Sequence, residues 1–184
     1  KEYNNYIEPM VGGGAVFFHL YNQGKIHKKA ILNDSNEELM NCYRVIKENV
    51  EALIRELKKH EPHKTDKNYY YEIRAWDRDP DFKKKKKAVE LAARTIFLNR
   101  TCYNGLYRVN SKGQFNVPFG RYKNPLICDE KNLRAVSIAL RKAELYSEDF
   151  EFCYDLAQKG DFIYLDPPYH PLSVTSSFTS YTQN

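Results

Sequence analysis

The sequence has no run of about 18 or more consecutive apolar residues, so it contains no segment able to cross a membrane as a helix. Its start lacks the basic-then-apolar layout of a signal peptide. Cysteine is scarce: Cys42, Cys102, Cys128 and Cys153 stand far apart, with no CxxC pair and no Cys/His cluster at zinc spacing. These four read as buried, reduced thiols of a cytoplasmic protein, and no metal site is expected. There is no GxGxxG and no Gly-Lys-Ser or Gly-Lys-Thr, which leaves out the usual dinucleotide and P-loop fingerprints. No internal repeat is visible. Net charge is low, +5, and the run Lys83 to Lys87 supplies all of it. A surplus confined to one run is weak evidence for a nucleic-acid partner, and the run reads as a solvated face or mobile loop. The chain opens on Lys1 rather than Met and ends in text that looks interior, so it reads as a fragment or partly ordered chain.

What is present suits a folded α/β protein. Hydrophobic residues make up 42% and charged residues 29% of 184 residues, enough to bury a core and to exclude wholesale disorder. That length fits one domain, or a domain carrying an insert. Tyr6-Ile7-Glu8 reads as a short strand running into Gly12-Gly13-Gly14, and Ala15 to Leu20 as a helix opening. Ala30 to Asp34 reads as a second strand, completing a β-turn-α-β unit of a parallel sheet. Ser35 and Glu38 form a capping-box pattern before a long helix with apolar positions at Leu39, Cys42, Ile46, Val50, Leu53 and Leu57. Pro62 ends it. Residues 61–87 are polar and tyrosine-rich. Helical periodicity returns over Ala88 to Leu98 and again over Lys131 to Leu145. Leu106 to Val109 and Gln114 to Val117 flank Asn110-Ser111-Lys112-Gly113, a β-hairpin pattern with glycine where a positive φ is required. Phe150 to Cys153 and Phe162 to Leu165 read as strands, the latter buried.

Two strand ends carry the chemistry. A glycine turn after a strand lets backbone approach a ligand at a helix N-terminus. Asp34 follows Gly14 at the interval of about 20 residues at which a strand-end carboxylate reaches a ribose hydroxyl. The same Asp34 could equally cap its helix, and the two roles can coexist. The second strand end, Asp166-Pro167-Pro168-Tyr169, is more specific. Two prolines fix φ twice and remove two donors, which leaves carbonyl acceptors beside a carboxylate and an aromatic face. That set suits a flat molecule bearing an amino group, with Tyr169 stacking on its ring.

These motifs, in this order, resemble the DNA adenine-N6 methyltransferases of the Dam type, which include restriction-modification enzymes. The matching text is Glu8 to Gly14, Leu32 to Leu39, Leu98 to Arg108, Phe115 to Tyr122, and Asp166 to Tyr169. The resemblance implies a Rossmann-like S-adenosylmethionine-dependent methyltransferase sheet with an inserted helical target-recognition domain bearing the hairpin. It divides the chain into a catalytic domain over 1–60 and 146–184 and a DNA-recognition insert over 61–145. It implies S-adenosylmethionine as cofactor, held by Glu8, Pro9, Gly12, Gly14, Asp34 and Asp166. It assigns catalysis to Asp166, Pro167, Pro168 and Tyr169, and contact with double-stranded DNA to Arg100, Tyr103, Asn104, Leu106, Arg108, Lys112 and Arg121. Arg108 is expected to read guanine, with Arg100, Lys112, Arg121 and Lys123 on phosphates. The implied activity is methyl transfer to N6 of a flipped-out adenine at GATC or a related site, by a monomer in the cytoplasm of a prokaryote or phage-infected host. Met10 stands where the family has an aromatic, the family's Trp-Gly-Gly-Lys-like opening segment is absent, and elements that follow its Asp-Pro-Pro-Tyr motif are absent, so the sheet is expected to be incomplete. The competing reading is a non-catalytic DNA- or cofactor-binding fragment. A third keeps the enzyme and changes the substrate to RNA bases or protein amides, against which Asp166 and the hairpin argue.

Overall fold

The computed structural model describes residues 2–167. Four parallel strands form one sheet in the order β3-β2-β1-β4: β1 (Tyr6–Glu8), β2 (Ala30–Asn33), β3 (Ala143–Tyr146) and β4 (Phe162–Ile163). The two central strands are buried at every position, as in a parallel sheet covered on both faces, including their polar last residues Glu8 and Asn33. Between β1 and β2 runs α1 (Ala15–Asn22). Between β2 and β3 lies most of the chain: α2 (Glu37–His60), α3 (Lys67–Ala75), α4 (Phe82–Lys85), α5 (Ala88–Thr101) and α6 (Glu130–Leu140). A short helix, α7 (Phe152–Leu156), leads to β4.

The long helix α2 organises the molecule. Its apolar positions recur at three and four residues and bury Met40, Cys42, Ile46, Leu53 and Leu57 on one stripe. That stripe meets α5 and α6, and one continuous core runs from Tyr6 on the sheet and Phe17 on α1 through to Tyr70, Phe97 and Phe115. The helical segments after residue 60 therefore share the core of the sheet. All four cysteines are free and buried in it or beside it. Burial raises the Cys42 thiol to about 12 and Cys102 to about 11, so both stay protonated and inert.

Several elements differ from the sequence expectation. The helix expected through Leu145 stops at Leu140, and Ala143–Tyr146 joins the sheet as β3. Valine and leucine at helical spacing simply continue into the alternation of a strand, and only pairing to β2 separates the two. The strand expected over Phe150 to Cys153 is instead a turn into α7, braced by Asp149 Oδ1 on the Glu151 amide (3.0 Å). The capping box of Ser35 and Glu38 does not form: Asn36 caps α2 by accepting from the Leu39 amide (3.2 Å), and Glu38 turns toward Arg94. The strand expected over Phe162 to Leu165 shortens to two residues, Phe162–Ile163, both exposed among the described residues. The lysine run is a solvated face, with Lys83, Lys84, Lys85 and Lys86 paired to Glu37, Asp81, Asp79 and Glu90.

Candidate functional site

The sheet order brings the two motif-bearing strand ends side by side. β4 pairs with β1 in parallel, Tyr6 opposite Phe162 and Ile7 opposite Ile163, and the Tyr164 amide donates to the Ile7 carbonyl (2.9 Å). The chain goes from β1 to β2 on one side, while β4 adds on the other. Such a reversal is where an open α/β sheet leaves a crevice beyond its strand ends. The glycine turn leaves β1 and Asp166-Pro167 leaves β4 at that end. Both Asp166 and Pro167 are exposed, and Pro168 and Tyr169 lie outside the described residues.

The glycine turn is built from both sides. The Val11 amide donates to the Asn33 carbonyl (2.8 Å), the Gly12 amide to Asp34 Oδ2 (2.9 Å), and the Tyr43 hydroxyl to the Gly12 carbonyl (2.9 Å). Gly12 and Gly14 sit at φ +47° and +68°, conformations that side chains rarely adopt. A Cβ on Gly14 would lie 2.8 Å from the Phe18 ring and 2.9 Å from the Tyr43 hydroxyl, whereas one on Gly12 or Gly13 would meet nothing within 4 Å. Gly14 is thus demanded by packing, and the space above Gly12 and Gly13 is open. Gly14 itself precedes α1 with no side-chain cap, and of the first-turn amides that of Phe17 is taken by Glu8.

Asp34 uses Oδ2 on the Gly12 amide and Oδ1 on the Asn36 amide (2.9 Å). It is half-buried and aimed at the glycine turn. The helix-cap alternative falls to Asn36. Glu8 is 2% exposed and accepts from the Tyr6 hydroxyl (2.7 Å), with the Phe17 amide of α1 also against it. Burial, with the Asp166 charge adding to it, pushes its carboxyl up to about 7 despite those two donors. Pro9 is buried beneath the turn.

The sequence reading passed over Asn33 and Tyr43. Asn33 is fully buried, and its amide is fully used: Nδ2 donates to the carbonyls of Pro9 (3.0 Å) and Glu148 (3.0 Å), and Oδ1 accepts from the Glu148 amide (2.9 Å). It ties together the chain segments that leave β1, β2 and β3. A polar residue as the last position of an otherwise apolar strand was the available signal.

The hairpin region is an irregular two-stranded ribbon. It pairs at its base through Cys102 and Phe119 and near its tip through Val109 and Phe115, each as a single antiparallel bridge rather than the regular strands expected. The turn is as expected, with Gly113 at φ +71° and Asn110 Oδ1 accepting from the Lys112 and Gln114 amides (both 3.0 Å). Gly120 at the base admits the facing strand: a Cβ there would lie 2.5 Å from the Cys102 carbonyl oxygen. Tyr103, Asn104, Leu106, Arg108, Lys112 and Arg121 are all exposed on this ribbon, and Arg100 is exposed at the end of α5. None of these three arginines nor Lys112 makes an ion pair among the described residues. Arg100, Asn104, Tyr122, Lys123 and Leu126 line a groove of about 390 Å³. Arg108 alone is braced, its Nε donating to Asn116 Oδ1 (2.8 Å). Asn104 and Arg121 have φ of 54° and 57°, unusual for residues with side chains.

A family model described as D12 class N6 adenine-specific DNA methyltransferase matches residues 1–184. The chain is 50% identical over 99% of its length to a Type II methyltransferase, M1.LlaDCHI, from Lactococcus lactis subsp. cremoris, covering 62% of that protein. It is 49% identical over 97% of its length to the Type II methyltransferase M.MjaIII from Methanocaldococcus jannaschii, covering 63% of it. It is 35% identical over 97% of its length to a DNA adenine methylase from Vibrio cholerae, covering 61% of it. The chain belongs to the D12 class N6 adenine-specific DNA methyltransferases, a family whose name implies a methyl donor. It spans a little over three-fifths of the length of these relatives. No helix among the described residues is long and apolar enough to cross a membrane.

Proposed function

We propose that the protein transfers a methyl group from S-adenosylmethionine to N6 of an adenine turned out of double-stranded DNA, at GATC or a related site, as a cytoplasmic monomer. The pairing of β1 with β4 supports this reading, because the glycine turn, with Asp34 bonded to it, and the Asp166-Pro167 corner leave neighbouring strands at the same end of the sheet. The open space over Gly12 and Gly13, beside the N-terminus of α1, suits a zwitterionic amino-acid moiety, and Asp34 suits a ribose hydroxyl. S-adenosylmethionine supplies an electrophilic methyl on a sulfonium when bound. Glu8 and Pro9 support the turn from below, Glu8 through α1 rather than by a free carboxylate.

The exocyclic amine of adenine is a weak nucleophile, since its lone pair is delocalised into the ring. Asp166 and the Pro167 carbonyl accept its two N–H bonds, which localises the lone pair and aims it. Tyr169, and the rigidity that Pro167 and Pro168 impose, hold the ring. The catalytic gain is positioning and electrostatics, with no covalent enzyme intermediate. Unstacking the base costs a few kcal/mol. In the division proposed here, residues 61–145 serve DNA recognition. Arg108 reads a base, Arg100, Lys112 and Arg121 hold phosphates, and Tyr103, Asn104 and Leu106 enter the stack or groove.

Plasmid DNA from cells expressing the full-length protein should resist an endonuclease blocked by adenine methylation at GATC. Sequencing that reads modified bases extends the test to related sites. DNA without N6-methyladenine at any site would leave the binding-fragment reading in its place.

A further inference from the structure

Two residues of the polar stretch between α3 and α4 hold the recognition ribbon from behind. Trp76–Arg78 forms a single 3₁₀ turn. The Asp77 side chain is 5% exposed, and its Oδ2 accepts from the Phe115 amide (2.8 Å) and from Arg94 Nη2 (2.7 Å). Arg94 is itself 1% exposed and donates from Nε and Nη2 to the carbonyls of Ile73 (3.1 Å) and Arg74 (3.0 Å), with Glu38 of α2 3.7 Å from its Nη1. Arg78 pairs with Asp77, and its Nη2 donates to the Phe115 carbonyl (2.7 Å).

Phe115 faces Val109 across the ribbon without hydrogen bonds between them, so its N–H and C=O point outward. Consecutive side chains, Asp77 and Arg78, take those two groups as the backbone of a third strand would. On the ribbon's inner side, the next residue completes the chain of contacts. The Asn116 amide donates to the Arg108 carbonyl (3.0 Å), and Arg108 Nε donates to Asn116 Oδ1 (2.8 Å).

We infer that Asp77 and Arg78 are positioning residues for sequence recognition: by clamping Phe115 they fix Asn116, and through Asn116 they set the reach of the Arg108 guanidinium. The inference rests on the reading above that Arg108 contacts a base. It adds that site preference depends on residues held behind the ribbon, on a segment that sequence patterning marks only as charged and polar. Arg78 is the residue to test, because its side chain is about one-third exposed and its removal leaves Asp77 paired with Arg94. Removing Asp77 would instead leave the buried Arg94 short of its closest counter-charge, which is strongly destabilising.

The test uses the full-length protein with duplexes carrying its methylated site or a single base change in it. Arg78→Ala should reduce the ratio of noncognate to cognate dissociation constants about five- to tenfold, as expected for coupled neighbours. The salt dependence of binding should stay unchanged, and Arg78→Lys, which can still donate to the Phe115 carbonyl, should restore part of the ratio. Asn116→Ala should act on the same path, so the double variant loses no more than the larger single loss. Arg108→Ala serves as the reference. If it collapses the ratio while Arg78→Ala and Asn116→Ala leave it intact, the positioning role is wrong and the base-reading role stands. If Arg108→Ala leaves the ratio intact, the base-reading role fails and takes this inference with it. Equal weakening on both duplexes by Arg78→Ala, with a salt slope lower by about 1, would make Arg78 a phosphate contact instead.

Discussion

Asp34 has both carboxylate oxygens on backbone amides, one in the glycine turn at Gly12 and one at the start of α2 at Asn36. Asp34→Ala should raise the dissociation constant for S-adenosylmethionine roughly 10- to 150-fold, the loss of a charged acceptor worth ~1.5–3 kcal/mol. Titration calorimetry on the full-length protein measures it, and unchanged affinity would reduce Asp34 to a brace of the turn. At the other end of the site, Arg108→Ala should cost ~1–3 kcal/mol on the cognate duplex and little on a noncognate one. Lys112→Ala should weaken both and lower the salt slope by about 1. Equal weakening by Arg108→Ala would move base reading elsewhere on the ribbon. The strand end at Asp34, the glycine turn at Gly12 and the hairpin arm at Arg108 are legible in the sequence because each is a local pattern, although the contact of Asp34 with Gly12 spans 22 positions. The contacts of Asp77 are not, since Phe115 lies 38 positions away and nothing nearby in sequence signals it, and Asn33 shows only as a polar end to an apolar strand, with partners 24 and 115 positions away.

Among the elements, those with a long, one-sided pattern were readable and the short ones were not. The apolar spacing of α2 recurs from Leu39 to Leu57, across a local break at Asn49 (φ −139°, ψ 39°), and announces a helix. β3 is four residues long, and its Ala143 and Leu145 extend the spacing of α6 so smoothly that only the pairing of Ala30 with Ala143 and Leu32 with Leu145 reveals a strand. Phe150 and Phe152 mimic a buried strand, yet Phe150 is exposed and Phe152 begins a helix. The hairpin turn was legible from Asn110 and Gly113; that its outer edge is held by the side chains of Asp77 and Arg78 was not. The glycine turn gives the prediction at this scale. Gly14→Ala places a Cβ at φ +68° against Phe18 and the Tyr43 hydroxyl, which must release the Gly12 carbonyl. It should cost about 1–2 kcal/mol from the left-handed backbone alone, measured by urea unfolding, and weaken S-adenosylmethionine binding as well. A neutral substitution would mean that Tyr43 moves aside freely and does not hold the turn.

For the whole molecule, the parallel sheet converts two motifs at opposite ends of the chain into neighbours, and one buried carboxyl lies under their meeting point. Glu8 titrates near 7 when folded and in the ordinary carboxylate range when unfolded. The folded state therefore holds the extra proton between those values, and stability should fall as pH rises from about 4.5 to about 7, by up to about 3 kcal/mol, then level off. Glu8→Gln keeps an acceptor for the Tyr6 hydroxyl and should remove that part of the pH slope in denaturant unfolding. An unchanged slope would place Glu8 outside the titration. The central claim is that the loops beyond the ends of β1 and β4 form a methyl-transfer site in which Asp166 accepts a hydrogen bond from the target amine. Its most direct measurement is single-turnover transfer of a radiolabelled methyl group from S-adenosylmethionine to adenine N6 in duplex DNA by the full-length protein and by Asp166→Ala. The account predicts transfer by the native protein. It predicts a rate lower by at least about a hundredfold in the variant, with DNA binding retained, as for loss of a transition-state hydrogen-bond partner. Near-native transfer by Asp166→Ala would contradict it.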